Sequence, residues 1–360
     1  MIRKGMGAEP TSPTIDSSLA GVAVATTRIA WVDPVRGAFV RGYSLAELAE
    51  RESYERIAHL VLRGELPHQA TSFGDVLAES VLEAERPSIA RDLGRALGSE
   101  QGLVAAMPLI GEDDWWLDPP QAMPRLVGRI PAVVAAVGGA PPPPRGSYAA
   151  RALHALGAKR TDAAALRALE VLLALEAEHG LSASTFACRV AASSGASPAV
   201  ALAAACATLS GPRHGGATRD AQALLSSVAA CNDVDALVRS RRAQKQVFPG
   251  FGHRIYKGAD PRLPPLRSAI LAMSDVPLQK AACDLEAAVL RVFAPKVLRA
   301  NIDLWGAVLL DALGVEPSMY VAAFALGVGC GWLAHFEEQL GEGRLVRPES
   351  AYAGPPERHL

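Results

Sequence analysis

Beyond residue 45 the sequence holds almost no run in which apolar and polar residues alternate. Without that period-two pattern a chain has no half-buried sheet face to cover, so its core must come from helices packed on helices. One stretch departs from this rule. Thr27–Val32 and Ala38–Arg41 flank the turn signal Asp33-Pro34, which predicts a short β-hairpin near the N-terminus.

The helical part is punctuated by its own caps. Ser44-Leu-Ala-Glu47 reads as a capping box, with the serine accepting from the backbone of Glu47 and the glutamate reaching back. Leu48, Tyr54, Ile57, Ala58 and Val61 then recur at helical spacing. Ala140 to Pro144 breaks the pattern as an extended connector. A helix over 162–178 closes at His179-Gly180, where glycine can take a left-handed cap. Ser197-Pro198 opens another, running to Gly211. Further helices are expected over about 217–230, 233–244, 263–273, 277–293, 302–313 and 317–340. The nearly apolar run Tyr320–Ala334 is short for a membrane span of roughly 20 residues, and its glycines suit a tightly packed buried helix. Residues 1–14 show no apolar segment after their basic residues and read as a disordered tail rather than a signal peptide. The fold class is therefore mainly α.

Charge excludes some functions. Lys plus Arg number 36 against 37 Asp plus Glu, so no overall field draws the chain to nucleic acid or to an acidic membrane. The five cysteines form no CxxC spacing, which argues against structural zinc or a disulfide framework and fits a reducing cytoplasm. His59, His68, His154, His335 and His359 stand in no motif and read as core or surface residues.

Three segments place polar groups among glycines. In Gly211-Pro-Arg-His-Gly-Gly-Ala217, the glycines permit close backbone approach, and the positive field of a helix start would keep His214 neutral. A neutral histidine can donate a hydrogen bond to an oxygen that gains negative charge; it can equally cap a helix. Pro249–Lys257, continued by Asp260-Pro-Arg262, gathers two glycines, His253 and the cations Arg254, Lys257 and Arg262. That set suits carboxylates or phosphates, or else a solvated basic loop. In Asn301-Ile-Asp303, the acid is followed by an apolar run, so it must be satisfied or have a raised pKa, as a general base would.

The order His-Gly-Gly-Ala, then Gly-Phe-Gly-His-Arg-x-Tyr-Lys-x-x-Asp-Pro-Arg, then Asn-x-Asp resembles the citrate synthase family, in the shorter form that includes 2-methylcitrate synthases. The likeness begins at Thr26-Thr-Arg-Ile and ends at Arg347-Pro-x-x-x-Tyr352; only the tail and a shortened region at about 95–160 fall outside it. It implies a two-domain helical fold: a large domain of 15–214 and 309–345, a small domain of 215–308, and a C-terminal arm, 346–360, reaching a partner subunit. It also implies a condensation of a short acyl-CoA with a 2-keto acid, with the CoA thioester then hydrolysed. Asp303 would take a proton from the carbon beside the thioester, His214 would stabilise the enol or enolate, and His253 would polarise the ketone. His179, Arg262 and a partner's Arg347 would hold the keto acid, which makes a homodimer necessary. Phe324 would pack near the reacting carbons, and Ser184 would orient His214. Arg254 and Lys257 would lie near CoA, with the Phe248–Gly252 backbone, including Gly250 and Gly252, around it. No metal or other cofactor is implied.

The chain departs from the family pattern in one wall of the site. Val328 stands where Phe-Ala-x-x-Arg places an arginine that binds a carboxylate of oxaloacetate, and Glu176 and Ser182 replace a histidine and an asparagine. Either another cation, Arg189 or Arg219, substitutes for the arginine, or the keto acid differs. A CoA-binding paralogue without turnover and a lyase running the reverse cleavage are the other readings.

Overall fold

The computed structural model describes residues 19, 21–67, 72–83 and 85–359. The tail at 1–14 and His68 lie outside the described residues. The chain opens with an antiparallel sheet of β1 (Ala30–Asp33), β2 (Gly37–Val40) and β3 (Tyr43–Ser44). Ala30 pairs with Val40 and Asp33 with Gly37, so the hairpin turns where the sequence indicated. Asp33 Oδ1 closes the turn by accepting from the backbone of Val35 and Arg36, at 2.9 and 2.8 Å. Trp31 and Phe39, opposite each other, stack at 4.6 Å. The strands begin later than the pattern suggested, at Ala30, and the first ends at Asp33. The two-residue strand β3 is too short to leave an alternation in the sequence.

Sixteen helices follow among the described residues: α1 (Leu45–Arg51), α2 (Tyr54–Arg63), α3 (Ser72–Glu79), α4 (Arg86–Leu97), α5 (Ser99–Ala106), α6 (Pro119–Val137), α7 (Tyr148–Ala155), α8 (Ala163–Glu176), α9 (Ala183–Ser193), α10 (Pro198–Leu209), α11 (Ala217–Ala229), α12 (Val234–Ala243), α13 (Leu263–Leu271), α14 (Gln279–Phe293), α15 (Ile302–Ala312) and α16 (Tyr320–Glu342). Local chemistry sets many ends. Ser44 caps α1 by accepting from Glu47, whose own carboxylate faces Arg51 at 3.0 Å rather than the cap. Ser53 caps α2, and Gly64 ends it in the left-handed region at φ 93°. Helix α8 stops at Glu176, earlier than expected; the left-handed Gly180 (φ 67°) lies beyond it in the loop to α9.

Helix α16 is the axis of the core. Its apolar stretch is buried all round within the fold, which is what its composition called for. Tyr54 and Tyr148, stacked at 4.4 Å, both donate to the Leu326 carbonyl and so tie α2 and α7 to it. Gly327 lets α16 press against the end of α8: a β-carbon there would fall 2.8 Å from that of Glu176. This contact fixes the wall that carries Phe324 and Val328. The 308/309 boundary between the expected domains falls inside α15, which continues unbroken to Ala312.

Candidate active site

Three chain segments converge where α8, α11, α13 and α15 meet α16. Asp303 lies in the first turn of α15, whose cap is Asn301; the Asn301 side chain accepts from the Asp303 backbone at 3.0 Å. Thr218, in the first turn of α11, donates to Asp303 Oδ1 at 2.8 Å. Burial raises the Asp303 pKa to about 6, although the Thr218 hydrogen bond and Arg262 both oppose the rise. A carboxylate of that strength is ionised at neutral pH yet basic enough to take a proton from carbon.

His214 sits two residues before Gly216, the start of α11. Its Nε2 meets Ser184 Oγ at 2.8 Å, and Ser184 also accepts from Trp332 Nε1 at 3.2 Å. Assigning both serine lone pairs to donors, Trp332 Nε1 and Ser182 Oγ at 3.2 Å, sends its one proton to Nε2 and leaves the ring proton on Nδ1. Burial lowers the His214 pKa. The ring is therefore neutral, as expected, and desolvation favours that state.

His253 is fixed differently. Its Nδ1 accepts from the backbone of Ile255 and Tyr256, at 3.2 and 3.1 Å, so the neutral ring presents Nε2–H. Burial first, then Arg262, lowers its pKa to about 4. Its ring stacks on Tyr256 at 4.4 Å and meets His179 edge-on at 5.4 Å. His179 Nε2 lies 2.8 Å from the Tyr256 hydroxyl, which burial pushes up to about 12, so that hydroxyl keeps its proton. Burial also holds His179 well below its ordinary pKa. Three neutral imidazoles thus stand on these converging segments.

The second and third segments are laced together. Asn301 donates from its backbone to Gly250 O (2.9 Å) and from its side chain to Gly252 O (2.8 Å). Gly250 is at φ 80°, and a β-carbon there would lie 2.7 Å from that of Leu304. Its close approach is therefore to α15. Phe248 is buried, edge-on to Phe251 and Phe293, so its ring belongs to the local core.

Arg262 forms the charged wall. Its Nε and Nη2 donate to Asp260 at 3.0 and 2.8 Å, and its Nη1 donates to Glu176 Oε1 at 3.2 Å. Burial would raise Asp260, but the guanidinium outweighs it and holds the acid near a pKa of about 2. Glu176 behaves in the opposite way. Burial raises it to about 8; Asp303 and Asp260 add to the rise, and Arg262 only partly offsets it.

Phe324 is buried with its ring against Gly306 of α15, and Val328 is buried one turn further along α16. Neither cation suggested as a substitute at Val328 serves there. Arg189 is buried and bonds Gln339, Glu338 and Glu342, which lie two to four turns past Val328. Arg219 is held by Glu100 and Asp220. Arg254 and Lys257 are exposed at the rim, and Arg347 is exposed on the segment after α16, outside this cluster.

Residues 18–349 match the family model described as citrate synthase, C-terminal domain. The chain belongs to the citrate synthase family. A citrate synthase of Synechocystis sp. is 33% identical over 93% of this chain and 90% of its own length. The crystal structure of the citrate synthase from Thermotoga maritima superposes with a TM-score of 0.84 at 27% identity, covering 96% of this chain and 98% of that one. A citrate synthase from Thermoplasma acidophilum, solved as a ternary complex with carboxymethyl coenzyme A and oxaloacetate, superposes with a TM-score of 0.79 at 25% identity, over 95% and 97% of the two chains. Within this citrate synthase fold, Tyr256, Thr218 and Asp260 join the site although sequence reasoning gave them no role. Tyr256 and Asp260 were visible as letters of the motif; Thr218 followed it directly.

Proposed function

We propose that the chain joins the acyl carbon of acetyl-CoA, or another short acyl-CoA, to the keto carbon of oxaloacetate or a related 2-keto acid. The observation that carries this reading is a buried, ionisable Asp303 whose partner Thr218 opens the helix after His214, and whose cap Asn301 is bonded to the loop of His253, both imidazoles being neutral.

Asp303 removes a proton from the carbon beside the thioester, and His214 Nδ1–H stabilises the enolate oxygen. The enol carbon then attacks the ketone. His253 Nε2–H polarises the ketone oxygen and supplies the proton of the new alkoxide; the proton gained by Asp303 balances it. Water attacks the thioester, adding hydroxide to the acyl carbon and a proton to the departing thiolate, so CoA leaves as its thiol. His179 and Arg262 hold the keto acid, joined by Arg347 from the partner of a homodimer. Arg254, Lys257 and the Phe248–Gly252 backbone flank CoA. Closing 215–308 over the site would exclude water from the enolate. We assign the work to the cytoplasm, where the five cysteines, all free among the described residues, stay reduced.

Val328, uncompensated by Arg189 or Arg219, supports a second reading in which the keto acid is not oxaloacetate. Release of CoA thiol from acetyl-CoA in the presence of a keto acid tests the condensation. Stoichiometric release, abolished in Asp303→Asn, is expected; a folded protein that binds CoA but releases no thiol with any keto acid would refute it.

A further inference from the structure

Arg262 carries five N–H donors. Asp260 takes two and Glu176 takes one, which leaves two, the number that a single bidentate carboxylate needs. The cluster therefore has one buried cation facing three carboxylates of its own: Asp260, Asp303 and Glu176. Glu176 occupies this place by construction. Its β-carbon is pinned by Gly327, its side chain is only 13% exposed, and its carboxyl turns to Arg262. One face of α16 carries Phe324, Gly327 and Val328 past it, and none of these brings a charge or a donor.

We propose that Glu176, with Val328 beside it, determines specificity in the keto-acid site, reserving Arg262 for one carboxylate and selecting a 2-keto monocarboxylic acid with a short uncharged substituent. The inference rests on the condensing activity proposed above. A dicarboxylic keto acid would bring its second carboxylate to a wall that has a carboxyl group and a valine. That anion would have to share the proton of Glu176 or displace Glu176 from Arg262. A methyl or ethyl substituent needs neither and packs on Val328 and Phe324. A charge-assisted hydrogen bond that one substrate makes and another cannot is worth roughly 10- to 100-fold in affinity, which sets the size of the discrimination.

The test is thiol release by the purified full-length protein, with acetyl-CoA and, in turn, pyruvate, 2-oxobutyrate and oxaloacetate. In the wild type, kcat/KM for one of the monoacids should exceed that for oxaloacetate by about tenfold or more. Glu176→Gln keeps the shape and removes the titratable carboxyl group; it should narrow that ratio by about tenfold, mainly by lowering KM for oxaloacetate. Val328→Arg should invert the preference, and it serves if Glu176→Gln fails to fold. A wild type that prefers oxaloacetate overturns the inference while leaving condensation in place. So does a Glu176→Gln variant that slows all keto acids by one factor, since that is the mark of a merely structural role. No release with any keto acid would overturn the condensing function itself.

Discussion

The two halves of the cavity are stabilised by opposite means. On the reacting side, His214 and His253 are each fixed by polar partners at one nitrogen and leave the other as a donor, and no ion pair holds either ring. On the recognition side, Arg262 is held by an ion pair to Asp260 and a hydrogen bond to Glu176, and most of its donor capacity is spent within the protein. Neutral groups fixed in place remain available to a transition state. Charges matched to one another are available only in part. In the proposed reaction, the first side would do the chemistry and the second would choose the acceptor.

The sharpest way to break this contrast is Asp303→Asn. Loss of the base should lower kcat by about 10²–10⁴-fold while CoA binding, read by calorimetry, is retained. A fall in CoA affinity of similar size would mean that Asp303 is structural. His214→Ala should cost about 10²–10³-fold in kcat, as removal of an oxyanion donor does. Tyr256→Phe touches the recognition side through His179. It should raise KM for the keto acid by roughly three- to tenfold, the worth of one neutral hydrogen bond, with little change in kcat; a drop confined to kcat would instead assign Tyr256 to His253.

The smallest effects are in pH. Asp303 must be ionised to act, so kcat/KM should rise with pH through about 6 and be lost below it. The Thr218 hydrogen bond lowers that pKa, so Thr218→Val should move the acid limb upward; an unmoved limb would assign the titration to another group. For stability, Glu176 runs in the opposite direction. Its folded pKa of about 8 stands above the ordinary value of 4.5, so the folded state holds the proton more tightly. That contribution is complete below about pH 4.5 and is lost as pH rises through 8. Glu176→Gln should flatten the fall of Tm over that range.

Much of this was legible in the sequence, for reasons that can be named. His214, His253 and Asp303 are set among glycines or apolar residues, where a polar side chain needs a purpose, and their motifs are local. The helices were legible through caps such as Ser44 and Ser197, which act within one turn. What the sequence hid was the destination of long side chains. The bond from Arg262 to Glu176 spans 86 residues, and that from Arg189 to Glu338 spans 149. Only the packing of α13 against α8, and of α16 against α9, decides such pairs. Neither Arg189 nor Arg219 replaces the missing arginine, because packing commits each to other partners.

The lacing of Asn301 to Gly250 and Gly252 has a mechanical consequence. The backbone of Gly252 also donates to Arg299 O, and that of Ile302 donates to Asp260. The loop bearing His253 and the helix bearing Asp303 are therefore stitched together on both sides of the cap. The proposed proton acceptor, Asp303, and the proposed ketone donor, His253, are thus held in one hydrogen-bonded unit, like two jaws cut from the same piece. Their spacing is set at folding, and that unit is tied in turn to Glu176 through Arg262 and to His179 through Tyr256.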